Sequence, residues 1–418
     1  MDERTQLIPE SRNSTETDSM GGEESNVEIQ RTNKKSFEWS RLWFFTGPGF
    51  LMSIAYLDPG NIESDLQSGA IAQYRLLWVL FSAHILGLLL QRLSAQLGVV
   101  SGKNMAEMAY SYYPKIPRLF LWIMIEIAII CSDMQEVIGT AIAFYLLSKG
   151  YIPLFAGVLI TMCDTFTFLV FDQYGIRRLE MLFARDRDTL VRGLWTKGTS
   201  WRFSVVGAVI MPHNLYLHSA LVKSRNVNRK IKSAVQEANF YYFIESAIAL
   251  TVRGIFLGCE FGIVALYVWA AGIMAAGQSS TMTGTYSGQF VMEGFLNIQW
   301  PRWKRVLVTR SIAILPTLLV TFKTGGVKNL TGMNDLLNCV QMIQLPFALL
   351  PIITFTSHRG IMYDFVTSKI SQGFALIVSC VVLGINFYFS SDYITTSLGT
   401  DWYSWVILFL PGTIYLLF

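Results

Sequence analysis

The sequence predicts an all-α, polytopic membrane protein. Three observations carry that expectation. The 418 residues are 52% hydrophobic and only 15% charged, with a mean hydropathy of +0.41, far from soluble composition. Apolar runs near the length that spans a bilayer recur along the chain. One seven-residue pattern also occurs twice within such runs, as Ala55-Tyr56-Leu57-Asp58-Pro59-Gly60-Asn61 and Ala208-Val209-Ile210-Met211-Pro212-His213-Asn214, with Ala, Pro and Asn at the same offsets.

Residues 1–40 are polar and rich in Ser, Thr, Asn and Glu, so they read as a disordered cytosolic tail without a signal peptide. Within it, Glu3-Arg4-Thr5-Gln6-Leu7-Ile8 matches the acidic-dileucine pattern read by endosomal and lysosomal sorting adaptors, a match short enough to arise by chance. Residues 41–418 form the membrane domain. Spans are expected at 42–57, 76–98, 119–147, 152–171, 203–221, 254–276, 305–322, 333–356, 373–390 and 402–418, with a shorter apolar piece at 239–252. Cys131, Cys163, Cys259, Cys339 and Cys380 lie in apolar segments without CxxC spacing and read as small core residues. The net charge of +4 comes from membrane-flanking loops and does not point to nucleic acid.

Lys and Arg near span ends mark the cytoplasmic side. Lys34, Lys35 and Arg41 put the N-terminus inside, and Arg92, Lys103, Lys115 and Arg118 do the same for the loop after 76–98. The alternation fails at 203–221. Arg185, Arg187 and Arg192 before it and Lys223, Arg225, Arg229, Lys230 and Lys232 after it all claim the cytoplasm. One helix cannot satisfy both flanks, so a crossing is expected to be missing near 181–202. That stretch is too charged to span, because each central Arg or Asp costs roughly 2.5–3.5 kcal/mol. The piece at 239–252 is short for a span, and Arg253 and Glu260 interrupt the run into the next helix.

The two repeats carry the chemistry. A Pro inside a membrane helix removes a backbone donor and breaks the rod. In lipid such a break survives only where it is buried in protein or lines a cavity. Paired breaks in two halves point to a transporter's midplane site. The pair offers the Asp58 carboxylate, the Asn61 and Asn214 amides and the Met211 thioether. Hard Ca²⁺ and Mg²⁺ prefer all-oxygen shells, whereas a thioether favours softer transition metals. Ala55 and Ala208, three residues earlier, are the expected carbonyl donors of the unwound segments. His213 and His218 flank the second break, where an imidazole suits proton relay or a hydrogen-bonded structural role. Asp133 and Glu136 lie three apart on one helix face and suggest a proton path, with Arg310 as counter-charge. Asn338 and Gln341 could complete a coordination shell or bridge helices. His84 and Asp164 read as structural, and Glu245 as intermediate.

These residues resemble a known family. Asp58-Pro59-Gly60-Asn61 and Met211-Pro212-His213-Asn214 are similar to the two signature motifs of the Nramp family of proton-coupled divalent metal transporters. The stretch from Gly277 to Phe290, Thr46-Gly47-Pro48-Gly49-Phe50 and Gln344-Leu345-Pro346-Phe347 also fit, and the likeness is strongest to the animal branch. The resemblance implies a LeuT-like inverted repeat of five plus five helices with broken first and sixth helices. The first repeat would cover about 41–202, the second about 203–390, and 402–418 would be an added C-terminal helix. It implies that Asp58, Asn61, Met211, Asn338 and the carbonyls of Ala55 and Ala208 bind the metal. It also implies that His213, Asp133, Glu136 and Arg310 serve proton movement.

The chain departs from the family pattern at 181–202 and at Val252-Arg253-Gly254, as skipped exons would leave it. The first departure would invert the helix holding Met211. Two functions compete on this ground. One is proton-driven import of Fe²⁺ or Mn²⁺ into the cytosol across an endosomal, lysosomal or plasma membrane, by alternating access and without a bound cofactor. The other is a transport-inactive isoform acting as a regulatory membrane subunit. A sodium or amino-acid symporter on the same fold is disfavoured by Asp58 and Met211. An enzyme is not expected, because the sequence contains no nucleophile–base constellation and no phosphate loop.

Overall fold

A computed structural model describes residues 77–171, 211–225, 227–255, 263–298, 300–324 and 327–369. It also describes Leu42, Phe45, Gly47, Pro48, Met52, Asp58 to Gly60 and helical residues between 371 and 388. All of them belong to the compact unit Phe37–Phe418. The sorting motif at Glu3, Leu7 and Ile8, the metal candidates Ala55, Asn61 and Ala208, the stretch 181–202, Cys259 and the span 402–418 lie outside the described residues.

The described elements are helices, and no strand occurs among them. In order they are α1 Leu77–Ser101, α2 Met105–Tyr112, α3 Lys115–Leu147, α4 Leu154–Phe171, α5 Pro212–Lys223 and α6 Lys232–Ile255. Then follow α7 Ile263–Leu296, α8 Arg302–Thr324, α9 Val327–Gln344, α10 Pro346–Ser357 and the short α11 Arg359–Met362. Phe81–Ser101, Trp303–Phe322 and Gly332–Ser357 are long and apolar enough to cross a membrane by length and composition. At 33 and 34 residues, α3 and α7 exceed the roughly 20 that a bilayer needs.

Two expected boundaries are corrected. The short piece at 239–252 is part of α6, whose 24 residues begin at Lys232. The span expected at 254–276 runs on to Leu296 in a helix described from Ile263, so the polar stretch Gly277 to Phe290 lies inside α7. Small and hydroxyl residues lower hydropathy without breaking a helix whose polar faces are buried against neighbours. The span expected at 333–356 stands as the candidate crossing Gly332–Ser357, with a turn at Leu345 because Pro346 at the start of α10 cannot continue the α9 hydrogen bonding. Helix α2 was not anticipated. It is fixed by a capping box, in which the Asn104 side chain accepts from Glu107 N–H and Glu107 accepts from Asn104 N–H.

The expected inversion of the Met211 helix is also corrected. Counting crossings, 203–221 would run antiparallel to 76–98. Instead, Ser94 Oγ donates to the Leu215 carbonyl at 2.6 Å, and a Cβ on Gly98 would lie 2.6 Å from the Ser219 carbonyl. Both partners advance by four residues, so α1 and α5 run parallel. Their C-terminal ends share one face, where Lys223 pairs with Glu107 at 2.6 Å and Ser219 Oγ accepts from Met105 N–H at 3.0 Å. The basic clusters at 92–118 and 223–232 therefore fall on the same side, as the charge rule requires.

Helices α3 and α7 form the centre and run antiparallel. Asp133 faces Gly284, Glu136 bonds Thr281, and Thr140 faces Gly277. Glycine at these crossings lets the backbones approach, as is common where helices pack in lipid. Apolar side chains such as Phe81, Leu315 and Phe322 stay exposed on the outer faces, where lipid would meet them. The same reasoning corrects the cysteines. Cys131 and Cys339 are buried, but Cys163 and Cys380 are exposed. In a membrane protein an apolar segment need not face the core.

Candidate ion site at the helix breaks

Asp58 is non-helical and fully buried between the helical Met52 and the helical Pro59. Its Oδ1 accepts the Gly60 N–H. Asp58 is thus the N-cap of a helix with proline at its first position, an arrangement in which the missing proline donor costs nothing. Met211 repeats the geometry. It caps α5 in extended conformation (φ −78°, ψ 125°), Pro212 is the first helical residue, and the thioether makes no capping hydrogen bond. Asp58 and Met211 therefore each stand at the N-terminus of a helix that begins with proline.

The surroundings of the first break come from three helices. Pro59 sits against Gly139 of α3, so closely that no Cβ would fit on that glycine, and it lies 3.6 Å from the Cβ position of Gly277 of α7. Gln135 of α3 covers Gly60, where an added Cβ would stand 2.9 Å from it. Asn334 of α9 donates to the Gly60 carbonyl at 3.5 Å. Gln135 Nε2 donates to Asn338 Oδ1 at 2.5 Å, and Gln341 Nε2 donates to Gln135 Oε1 at 2.9 Å. Asn338 and Gln341 do bridge helices, and Asn338 is joined through Gln135 to the Asp58 break.

The second break packs on two of the same helices, since α5 contacts both α3 and α7. Ser287 of α7 donates to the His213 carbonyl at 3.2 Å. Asn214 and His218 lie four residues apart on one face of α5, almost wholly buried. Among the described residues their side-chain polar atoms have no hydrogen-bond partner, so this face carries an unmet polar demand.

The acids of α3 form a line beside the first break. Arg310 Nη2 lies 2.8 Å from Glu136 Oε2 and 3.7 Å from Asp133 Oδ1, and all three groups are buried. Thr281 donates to Glu136 Oε1. Further along, Arg305 pairs with Glu126 at 2.6 Å. Sequence reasoning missed that pair, although Glu126 stands seven residues before Asp133, which puts both on one helix face. It also gave no role to Gln135. Glu245, left intermediate, accepts the Gly47 N–H at 2.6 Å in a buried contact.

Among the described residues, no three His, Cys, Asp or Glu side chains converge as a metal cluster. A cation here would have to use one carboxylate with amides, carbonyls and a thioether. The family profile described as natural resistance-associated macrophage protein-like, Nramp, matches residues 49–185, 198–259 and 253–392.

The chain belongs to the Nramp family.

It is an integral membrane transporter, not an enzyme. The profile match is interrupted between 185 and 198 and overlaps itself over 253–259, at the two departures noted in the sequence. The NRAMP-like transporter smf-1 of Caenorhabditis elegans is 55% identical over 464 aligned positions, covering 92% of this chain and 83% of the relative. That alignment is longer than this chain, so the relative carries internal residues absent here. Natural resistance-associated macrophage protein 2 of Homo sapiens is 49% identical, over 88% of this chain and 78% of its own. A mutant Eremococcus coleocola manganese transporter superposes with a TM-score of 0.80 at 26% identity, covering 94% of this chain and 96% of the other. A nucleobase-cation-symport-1 transporter shares the fold alone, at a TM-score of 0.50 and 13% identity. The Nramp transporter is thus of the LeuT-like class.

Proposed function

We propose that this Nramp transporter carries Mn²⁺ and Fe²⁺ into the cytosol in symport with protons, by alternating access. The metal ligands are Asp58, Asn61, Met211 and Asn338, with the carbonyls of Ala55 and Ala208. The observation that most supports this reading is the capped break at Asp58, buried against α3, α7 and α9. An intramembrane carboxylate without a role would be expensive. The solved relative named as a manganese transporter supports the choice of ion.

Protons would move past the second break and along α3. Asp133, Glu136 and Arg310 form a buried set of charges next to Pro59, through the Gly277 crossing. His213 and His218 supply imidazoles on α5 at the Met211 break. The membrane potential and the proton gradient would both drive a cation inward. The N-terminal motif at Glu3, Leu7 and Ile8 would direct the protein to endosomes or lysosomes through a sorting adaptor.

Uptake of Mn²⁺ into proteoliposomes containing only this chain is the test. Uptake that rises with an acidic exterior, and that Asp58→Ala abolishes, is expected. Uptake that is insensitive to pH, or unchanged in Asp58→Ala, would refute the coupling or the site respectively.

A further inference from the structure

Three amides form a directed relay beside the first break. Gln341 Nε2 donates to Gln135 Oε1, and Gln135 Nε2 donates to Asn338 Oδ1. Gln135 and Gln341 are on different helices, α3 and α9, and both are buried. All the donations run one way, so each amide polarises the next. An amide oxygen has two lone pairs in the plane of the amide, so the bond from Gln135 sets the direction in which Asn338 Oδ1 accepts. The same Gln135 side chain covers Gly60, two residues from Asp58.

We propose that Gln135 is a positioning residue of the ion site, fixing the direction of the Asn338 carbonyl oxygen. The proposal rests on the reading of Asp58 and Asn338 as ion ligands. Gln135 does not itself touch the ion. It acts as the outer partner of a ligand, and Gln341 holds Gln135 in turn. A carboxylate or an aliphatic side chain could not replace it. A carboxylate lacks the donor that Asn338 accepts, and Leu of similar size lacks both halves of the relay.

The test is a double-mutant cycle on Mn²⁺ uptake in proteoliposomes, with thermal unfolding in detergent reporting whether each variant is folded. Loss of an outer-shell partner costs 10–100-fold in metal affinity, so Gln135→Leu should raise KM by about 10–100-fold with Vmax little changed. Gln135→Leu combined with Asn338→Ala should be no worse than Asn338→Ala alone, because Gln135 acts through that residue. Gln341→Leu should show a smaller rise in KM of the same kind. If Gln135→Leu does not fold, Gln135→Met and Gln341→Leu carry the same comparison. A folded Gln135 variant with unchanged KM, or KM effects that multiply with those of Asn338→Ala, would overturn the proposal. Asp58→Ala separates the two failures. If it abolishes uptake while Asn338→Ala and Gln135→Leu do nothing, the ion site stands and the relay falls. If Asp58→Ala transports normally, the site reading itself has failed.

Discussion

Arg310 Nη2 lies 2.8 Å from Glu136 Oε2, with both residues at least 95% buried by relative exposures of 4% and 1%. One guanidinium also reaches Asp133 at 3.7 Å, so a single cation serves two acids. Removing it should strand both. Arg310→Ala is expected to cost about 3–5 kcal/mol, the usual penalty for breaking a buried pair. Arg310→Ala with Glu136→Gln should recover part of that loss. Thermal unfolding in detergent measures both, and equal losses in the single and double variants would show that the pair is not the source.

Met211 tests the preference for soft ions. Replacing the thioether by Ala removes the group that favours transition metals over Ca²⁺. Met211→Ala should shift the ratio of Mn²⁺ to Ca²⁺ uptake toward Ca²⁺ by roughly tenfold, about 1.4 kcal/mol of discrimination. Competition between the two ions in proteoliposomes reads this directly. An unchanged ratio would mean that the sulfur does not face the ion.

Gly139 tests the packing behind the first break. A Cβ there would overlap Pro59, whereas one on Gly332 would meet nothing within 4 Å. Gly139→Ala should destabilise by about 1–3 kcal/mol through overpacking. Gly332→Ala should not destabilise, since helical Ala is better than Gly. Unfolding midpoints of the two variants give the comparison.

Asp364, beyond α11, tests an exposed pair. The Lys232 hydrogen bond and charge hold its carboxyl below the usual carboxylate value. A lowered folded value means that the contribution is complete above the unfolded pKa of about 3.9 and lost as pH falls through the folded one. Stability differences between wild type and Asp364→Asn should therefore be flat from pH 5 to 8 and vanish only below pH ~4. The pair is screened by water, so the difference should be small throughout. A midpoint difference that changes between pH 5 and 8 would contradict this.

Much of the architecture is legible in the chain. Spans such as 76–98 and 305–322 announce themselves because lipid demands about 20 apolar residues in a row. The breaks are legible because proline removes a donor that lipid cannot replace. The signal fails where polar residues are buried. α7 runs through Gly277 to Phe290 because its hydroxyls and glycines meet α3, and α6 begins in the polar Lys232 turn. Hydropathy reports the medium a residue would prefer, not the neighbour it has.

Pairing was beyond the sequence. Asp133 and Glu136 could be placed on one face from spacing, and Arg310 suggested as their counter-charge, but the sequence holds no distance to choose it over Arg305. Gln135 is one amide among many until α9 is packed beside α3. Even the direction of α5 could not be read from the charge pattern, because its two flanks contradicted each other.

The chain by itself determined a helical membrane transporter with two proline-broken motifs, since solvent transfer and backbone hydrogen bonding act locally and leave marks along the sequence. Only the tertiary structure decided which buried charges neutralise one another, which way α5 runs, and which amide holds Asn338. Those choices depend on contacts between residues 121 to 203 positions apart, and their energy exists only once the helices are packed.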